Sequence, residues 1–403
     1  MLTDANQETH LNPVQQEWAI VVVGQSPELA SGQAKMIGYL LGHHYEHIRL
    51  IHVPMSFSNG MDDMGKPSVR KVLHLIGIIL VLWQTAIGLR LRGIRPVLYF
   101  PPAGPHLVPV LRDIVLLGLS RRLFVRTIFH FHAAGLGMFR ANLPRPLRPL
   151  FDWAYGSPYL TVATAGSGLT DGQSQHGKTN LVVHNGVPEL PAGIVRTRMV
   201  PPPIVRLLFV GLLIEDKGIF VLLEALALLK ARGTEFEARL IGSFNDSFVE
   251  QRARAIVRRT DLDHDIQFEG ELRGNTLLQA YADADIFCFP SFFAAESFGL
   301  VCVEAMRASL PVVATEWRGI PEVVEHGRTG LIVPPRASGP LADALERLIN
   351  DPDLRAEFGR RGRERFLTHF TVERFCAEMG NVFAHAISSG FTLNNMSSSR
   401  GKA

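Results

Sequence analysis

Two glutamates, Glu296 and Glu304, stand eight positions apart in ESFGLVCVEAMRASLPVVAT, with Phe298, Gly299 and Leu300 between them. The preceding DIFCFPSFFAAES reads as a strand leaving into a loop, and FGLVCVEAMRA has helical spacing. Glu296 is expected at or just before a helix start, with Glu304 about two turns in. Eight residues of helix rise ~12 Å, too far for one shared metal ion or a close acid/base pair. Carboxylates so placed can grip two ends of one elongated, hydroxyl-rich ligand. Between them Gly299 lets a ligand approach the backbone, and free N–H groups at a helix start attract phosphate. The ligand implied is polyol, phosphate, polyol: a nucleotide sugar. An N-terminal helix glutamate plus an ordinary exposed one is the plainer reading of the same pair.

A second reactive group lies in IFHFHAAG, where His130 and His132 are two apart and share one face of a strand end. A zinc pair would need a further Cys or His at suitable spacing, and the sequence offers none. The other reading is two histidines hydrogen-bonded in a loop. Asp283-Ala284-Asp285, Asp261-Leu262-Asp263 and Asp351-Pro352-Asp353 each spell Asp-x-Asp, a pattern able to grip a metal-bound diphosphate. Asp285 opens an apolar strand and the others lie in polar connections, so all three read as caps and turns. No metal site is expected, and no P-loop, Ser/His/Asp order or nucleic-acid module appears.

The elements that must position these residues alternate. Short β-branched runs at 18–24, 47–53, 96–100, 125–132, 159–165 and 181–186 are separated by helical stretches. After the proline-rich PELPAGIVRTRMVPPPI the alternation restarts, with runs at 205–211, 237–243, 265–270, 285–291, 311–315 and 330–334. Strand–helix–strand spacing means parallel sheets covered on both faces. The α/β fold expected is two doubly wound, Rossmann-like domains facing a cleft, since ligands of such sheets sit at the carboxyl ends of the strands. The boundaries are 1–190, a linker at 191–204, 205–370, a C-terminal helix at 371–388 and a disordered tail at 389–403.

Composition sets bounds on this. The 403 residues are 47% hydrophobic and 20% charged, ordinary for a globular protein of two to three domains. Cys288, Cys302 and Cys376 lie unpaired in apolar runs and read as buried thiols in a reducing compartment. The start, MLTDANQETHLNPVQQEW, lacks the basic and apolar parts of a secretory signal, so a cytoplasmic protein is expected. Residues 1–200 hold 18 Lys/Arg against 11 Asp/Glu, and the remainder 23 against 27. A basic first half suits an anionic membrane or an acidic acceptor, and random scatter is the alternative. The apolar VLHLIGIILVLWQTAIGL at 72–89, near the length limit of a spanning helix, is flanked by Lys66, Arg70, Lys71, Arg90 and Arg92. It reads as a buried or interface-docked helix, as one dipping into the headgroup layer, or as a span. Peripheral membrane contact through residues 66–92 is the expectation.

The stretch from Tyr281 to Pro335 closely resembles the signature region of retaining GT-B glycosyltransferases of family 4, the "group 1" transferases. A weaker likeness runs from FVGLLIEDKG to the end, and together they cover about half the chain. The resemblance implies a GT-B fold whose C-terminal helix crosses back toward the first domain. It places Glu296 on the donor sugar hydroxyls, Glu304 on the ribose hydroxyls, and the N–H groups of Phe298, Gly299 and Leu300 on sugar and diphosphate. In GLLIEDKG, Gly211 opens the family's phosphate loop and Lys217 matches its diphosphate-binding lysine, but Leu212 stands where relatives carry an arginine. The arginine's absence implies weaker donor binding, compensation by another cation such as Arg273 or Arg318, or a non-catalytic relative, with compensation ranked first. His132 matches a histidine facing the donor sugar. Gly24 and Gln25, with Ser31-Gly32-Gln33, take the place of a glycine-rich loop near the acceptor and diphosphate, with His130 on the acceptor side. Asn185-Gly186 resembles the turn ending the first domain. Together these imply a metal-independent retaining transfer from a nucleoside-diphosphate sugar to an acceptor hydroxyl, with no cofactor and no nucleic-acid partner. A lipid-linked saccharide of cell-envelope or exopolysaccharide synthesis is the expected acceptor, with the enzyme peripheral at the inner face of the membrane. The alternatives are a nucleotide-sugar epimerase or hydrolase of the same fold, and a catalytically silent transferase-like partner.

Overall fold

The computed structural model describes residues 17–26, 31–55, 57, 68–197 and 204–388. The expected tail at 389–403, Lys66 and part of the linker lie outside them. The first half comprises β1 (Trp18–Gly24), α1 (Gly32–Gly42), β2 (Arg49–Pro54), α2 (Val69–Leu91), β3 (Arg95–Phe100), α3 (Leu107–Ser120), β4 (Arg126–Phe131), α4 (Leu136–Asn142), α5 (Arg148–Tyr155), β5 (Leu160–Ala163), α6 (Leu169–Ser174) and β6 (Thr179–Val182). The second half continues with β7 (Val205–Val210), α7 (Ile219–Ala231), β8 (Phe236–Ile241), α8 (Ser247–Arg259), β9 (Ile266–Gly270), α9 (Gly274–Ala282), β10 (Ile286–Phe289), α10 (Leu300–Arg307), β11 (Val312–Thr315), α11 (Ile320–Val323), β12 (Gly330–Val333), α12 (Ser338–Asn350), α13 (Pro352–His369) and α14 (Val372–Ile387).

The strands form two parallel six-stranded sheets, ordered β2-β1-β3-β4-β5-β6 and β12-β11-β10-β7-β8-β9. Their residues are apolar on both faces because helices cover both, as in the wholly buried Ile286–Phe289. Strand order reverses between β1 and β3 and between β7 and β10. Such switch points open a crevice beyond the strands' carboxyl ends, where α1 and the loop before α10 begin. The architecture is GT-B: two Rossmann-like units whose crevices meet.

The last helix belongs to the first unit. Phe375, Cys376, Met379, Val382 and Phe383 of α14 pack with Ile20, Val22, Val97 and Ile128 of the first sheet. Arg126 Nη1 donates to the carbonyls of Ala386 at 2.5 Å and Ser388 at 2.8 Å. The crossover is reinforced at the hinge, where Val187 bridges Thr371 and Arg307 donates to Pro188 O at 3.1 Å. All three cysteines are buried and free.

The apolar run at 72–89 lies within α2. Ile78, Ile79, Leu82, Ala86 and Leu89 pack inward, with Trp83 Nε1 donating to Leu119 O of α3 at 3.1 Å. Its other side stays exposed, including Val72, Leu73, Ile76, Leu80 and Ile87. By length and composition the helix is able to cross a membrane, and only 28% of its 18-residue apolar window is buried in the fold.

Candidate active site at the meeting of the two sheets

The loop after β7 curls into a single helical turn that presents Lys217, and Gly218 follows at φ 85°. A Cβ at Gly218 would lie 2.2 Å from Pro290 O, so only glycine brings this turn against the loop after β10. That approach sets Lys217 Nζ 2.5 Å from Glu296 Oε2. Lys217 also lies over the rings of Phe289 and Phe293, at 5.3 and 5.0 Å. Glu296 sits four residues before α10, in the loop rather than on the helix. Its Oε1 accepts from Gly299 N at 3.3 Å, which satisfies one donor at the helix entry. Gly299 is left-handed at φ 80° and its carbonyl accepts from Cys302 N at 2.8 Å, so the N–H groups of Leu300 and Val301 precede the helical ladder at the positive end of α10. The Phe298 side chain is buried, stacked on His184 at 5.4 Å, so only its backbone can reach a ligand.

Glu304 lies in the second turn of α10, nearly buried. Its Oε2 accepts from the buried Tyr281 hydroxyl at 3.0 Å, and its Oε1 receives Lys35 Nζ of α1 at 3.1 Å. The Tyr281 phenol is held far above its ordinary range by burial first and by Glu304 second. Lys35 crosses from the other domain. The first turn of α1 is close by: a Cβ at Gly32 would lie 3.7 Å from Leu300 Cδ2. Two helix starts therefore converge where the sheets meet.

The first domain closes the site from above β4. Ser297 Oγ donates to His132 O at 2.6 Å, and Ala134 N to Ala295 O at 3.3 Å. This joins the strand end carrying the histidines to the loop carrying Glu296. His132 and His130 do share one side, with ring centroids 4.0 Å apart. His130 departs from the acceptor-side expectation. It is fully buried beneath His132, with Nδ1 2.7 Å from the Tyr99 hydroxyl, because β4 turns this position into the core that α14 completes. Burial holds both imidazoles neutral: His132 is pushed down to about 4, and His130 far below its ordinary range by burial and then by His132. Among the described residues, both Nε2 atoms are buried without a hydrogen-bond partner.

Gly24 ends β1 beside Ile37, and Gln25 Oε1 accepts from Ser31 Oγ, the N-cap of α1. The loop between them, 27–30, lies outside the described residues. Gly211 follows β7 and donates to Ile241 O at 3.0 Å. Arg273 and Arg318 are not brought onto the glutamates: Arg273 pairs with Glu271 in an exposed loop, and Arg318 covers Trp317. The cation that arrives is Lys35. Nothing in its local sequence marked it, because its partner lies 269 residues away. Glu322 was equally unmarked; it accepts from Gly166 N at 2.7 Å and Ser167 N at 3.1 Å across the domains. Tyr281 opens the signature stretch, but nothing in its local sequence marks it as the partner of Glu304.

The Asp-x-Asp pairs are structural. Asp351 caps α13 and Asp261 occupies a left-handed turn. Asp283 is the C-cap of α9, and with Asp285 it also binds Thr197, Arg196 and the Arg206 N–H, fastening the linker end and β7 at the amino edge of the sheet, away from the crevice.

With this geometry in view, residues 204–365 match the family model described as "Glycosyl transferases group 1". The chain is 36% identical over 167 residues to the D-inositol 3-phosphate glycosyltransferase of Pseudarthrobacter chlorophenolicus, covering 41% of this chain and 39% of that protein. It is 29% identical over 201 residues to the putative colanic acid biosynthesis glycosyltransferase WcaL of Escherichia coli, covering 47% and 49%. The chain thus spans less than half the length of these curated relatives. Among solved structures, the sucrose-phosphate synthase of Thermosynechococcus elongatus superposes with a TM-score of 0.69 at 19% identity, covering 93% of this chain and all of that one. Anabaena HepE, in complex with UDP and glucose, gives 0.67 at 18%, covering 91% and 99%. At these identities the structures speak to the fold, and they agree on it along nearly the whole chain. The likeness to the glycosyl transferases group 1 family thus lies in residues 204–365, the stretch that carries Lys217, Glu296 and Glu304.

Proposed function

We propose that the protein is a retaining, metal-independent glycosyltransferase that moves a sugar from a nucleoside-diphosphate sugar to an acceptor hydroxyl. The observation carrying this reading is the convergence of Lys217–Glu296 and Lys35–Glu304 at the junction of two switch points. Glu304 takes the ribose hydroxyls and Glu296 the sugar hydroxyls. The diphosphate lies between them, against the α10 N-terminus and Lys217. The C1–O bond to the diphosphate breaks as the acceptor oxygen forms a new bond to C1 on the same face. The acceptor proton passes to the departing phosphate oxygen. Lys217 and the helix-end amides stabilise charge that grows on the leaving group, which is why no metal or further cofactor enters the scheme. His132, neutral, accepts or donates one hydrogen bond at the sugar.

Leu212 favours a second reading, a silent transferase-like partner, because one leaving-group cation is missing. Lys35 is placed to supply that charge. Screening UDP-, GDP- and ADP-sugars for thermal stabilisation separates the two readings. Ligand at ~100 times its dissociation constant adds ~2.7 kcal/mol, and a silent partner is stabilised by none of them. Product analysis without acceptor identifies an epimerase or hydrolase.

The acceptor we infer is a lipid-linked saccharide of envelope or exopolysaccharide synthesis, met at the cytoplasmic face of the membrane. Arg70, Lys71, Arg90 and Arg92 flank the exposed apolar side of α2. Each basic side chain near an anionic leaflet contributes ~1 kcal/mol, and the apolar side chains add burial. Sedimentation with anionic vesicles at low salt, released at high salt, is the expected result. Sedimentation indifferent to salt and lipid charge indicates a span, and none at all removes the membrane from the proposal.

A further inference from the structure

We propose that a cavity at the amino edge of the first sheet, walled by Arg121, Arg122, Arg126, Lys178, Trp153 and Tyr159, binds the phosphate of an anionic lipid headgroup. The cavity holds about 330 Å³, and among the described residues no carboxylate lines it. It lies at the ends of β4 and β5 opposite the donor crevice, so it is a separate site.

Its cations are packed together without counter-charge: among the described residues, none of the four is in an ion pair. Arg121 is held by neutral oxygens, donating to Ala154 O at 3.0 Å and Gly156 O at 2.7 Å. Its guanidinium is pushed down to about 10, by burial first and by Arg122 second. The others lie over ring faces: Arg122 on Trp153 at 5.2 Å, Arg126 on Tyr159 at 4.3 Å and Lys178 on Tyr159 at 6.0 Å. Gly118 makes the aromatic wall possible, because a Cβ there would lie 2.0 Å from the Trp153 ring. Guanidinium groups and an ammonium around a small cavity suit a phosphate, which takes several charge-assisted hydrogen bonds and relieves the repulsion.

The rim says where the phosphate comes from. Leu119, Val125 and Trp153 are 53%, 42% and 42% exposed beside the cavity. Leu119 O is the acceptor of Trp83 Nε1, so the rim continues into the exposed apolar side of α2. Over residues 68–151 the chain carries twelve Lys/Arg and a single carboxylate, Asp113. That carboxylate is fully buried and bound by Arg112, Ala103 N and Tyr155, so it offers an anionic surface no repulsion. A phosphate site opening among exposed apolar groups matches a lipid headgroup with its chains alongside. The inference rests on the membrane reading above for the source of the phosphate, and not on the transferase reading.

Sedimentation with phosphatidylcholine vesicles, with and without phosphatidylglycerol, is the test. The parent protein is expected to prefer the phosphatidylglycerol vesicles. In Arg122→Gln/Lys178→Gln, which spares the carbonyl bonds of Arg121 and Arg126, that preference should fall about tenfold or more. Arg70→Gln/Lys71→Gln, removing as much charge at the start of α2, should lose clearly less; an equal loss means diffuse attraction and overturns the site. Monomeric dihexanoylphosphatidylglycerol should raise the Tm of the parent and not of the cavity variant. Inorganic phosphate or glycerol 1-phosphate raising it equally makes the ligand a free phosphate and overturns the lipid assignment. Leu73→Ser/Leu80→Ser should abolish sedimentation while keeping the Tm shift. Parent protein indifferent to both vesicle types overturns the proposal, with the nucleotide-sugar screen left to judge the transferase reading by itself.

Discussion

Glu296 and Glu304 each hold a lysine, but the two pairs are built differently. Lys217 reaches Glu296 from within the second domain, with both side chains largely buried at 18% and 12% exposure. Lys35 reaches Glu304 from the first domain and is 41% exposed, while Tyr281 fixes the other oxygen from below. The first pair forms whenever the second sheet folds. The second exists only where the domains meet. One glutamate is thus set by local packing, and the other also registers how the two halves stand.

The largest effect that would break this comparison is on turnover. Glu296→Gln should lower kcat by roughly 100-fold or more, the size lost when one electrostatic contact to a reacting group is removed. Its nucleotide affinity should stay near that of the parent protein in calorimetry. Retained turnover with collapsed affinity would mean the two roles are exchanged. Next, Glu304→Ala should weaken free nucleoside diphosphate by roughly 1.5–3 kcal/mol, the worth of a charged hydrogen-bond partner, and equal affinity in both proteins sinks the ribose assignment. Smaller again, Lys35→Met should weaken the diphosphate by about 1 kcal/mol, as befits a half-exposed ion pair, while the matching nucleoside binds unchanged. Equal losses for nucleoside and diphosphate would show that Lys35 acts only by positioning Glu304.

The smallest effect concerns the histidines that close the site. Burial lowers His132 to about 4, whereas an unfolded histidine titrates near 6.5. Between those values the unfolded chain binds more protons. This contribution to stability is complete above about pH 6.5 and is lost as pH falls toward about 4. The Tm of His132→Gln should therefore decline less than that of the parent over this interval. Parallel declines would mean that the imidazole is not buried neutral.

Much of this was legible because parallel sheets write themselves into sequence as apolar runs at crossover spacing. Every expected run coincides with a strand to within a few residues, and Lys217, Glu296 and Glu304 are brought to one crevice. What stayed hidden depends on contacts between distant segments. Lys35 and Glu322 look like ordinary exposed charges until the second domain stands opposite them. His130 looked like a cleft residue because strand alternation gives the side it shares with His132, but not that α14 covers that side. The basic cavity was invisible for the same reason, since Arg122, Trp153 and Lys178 meet only through tertiary packing.

The crossing of α14 also sets a schedule for synthesis. The first sheet is complete at β6, yet the helix that covers Ile20, Val97 and Ile128 is encoded about 190 residues later. At 5–20 residues per second a ribosome needs roughly 10–40 s to make that stretch. Until α14 is made, the part of that sheet's face which Met36, Ile37 and Leu40 of α1 leave uncovered lacks its helix. A stop codon before Val372 should therefore cost the first domain its solubility although every strand of it has been made.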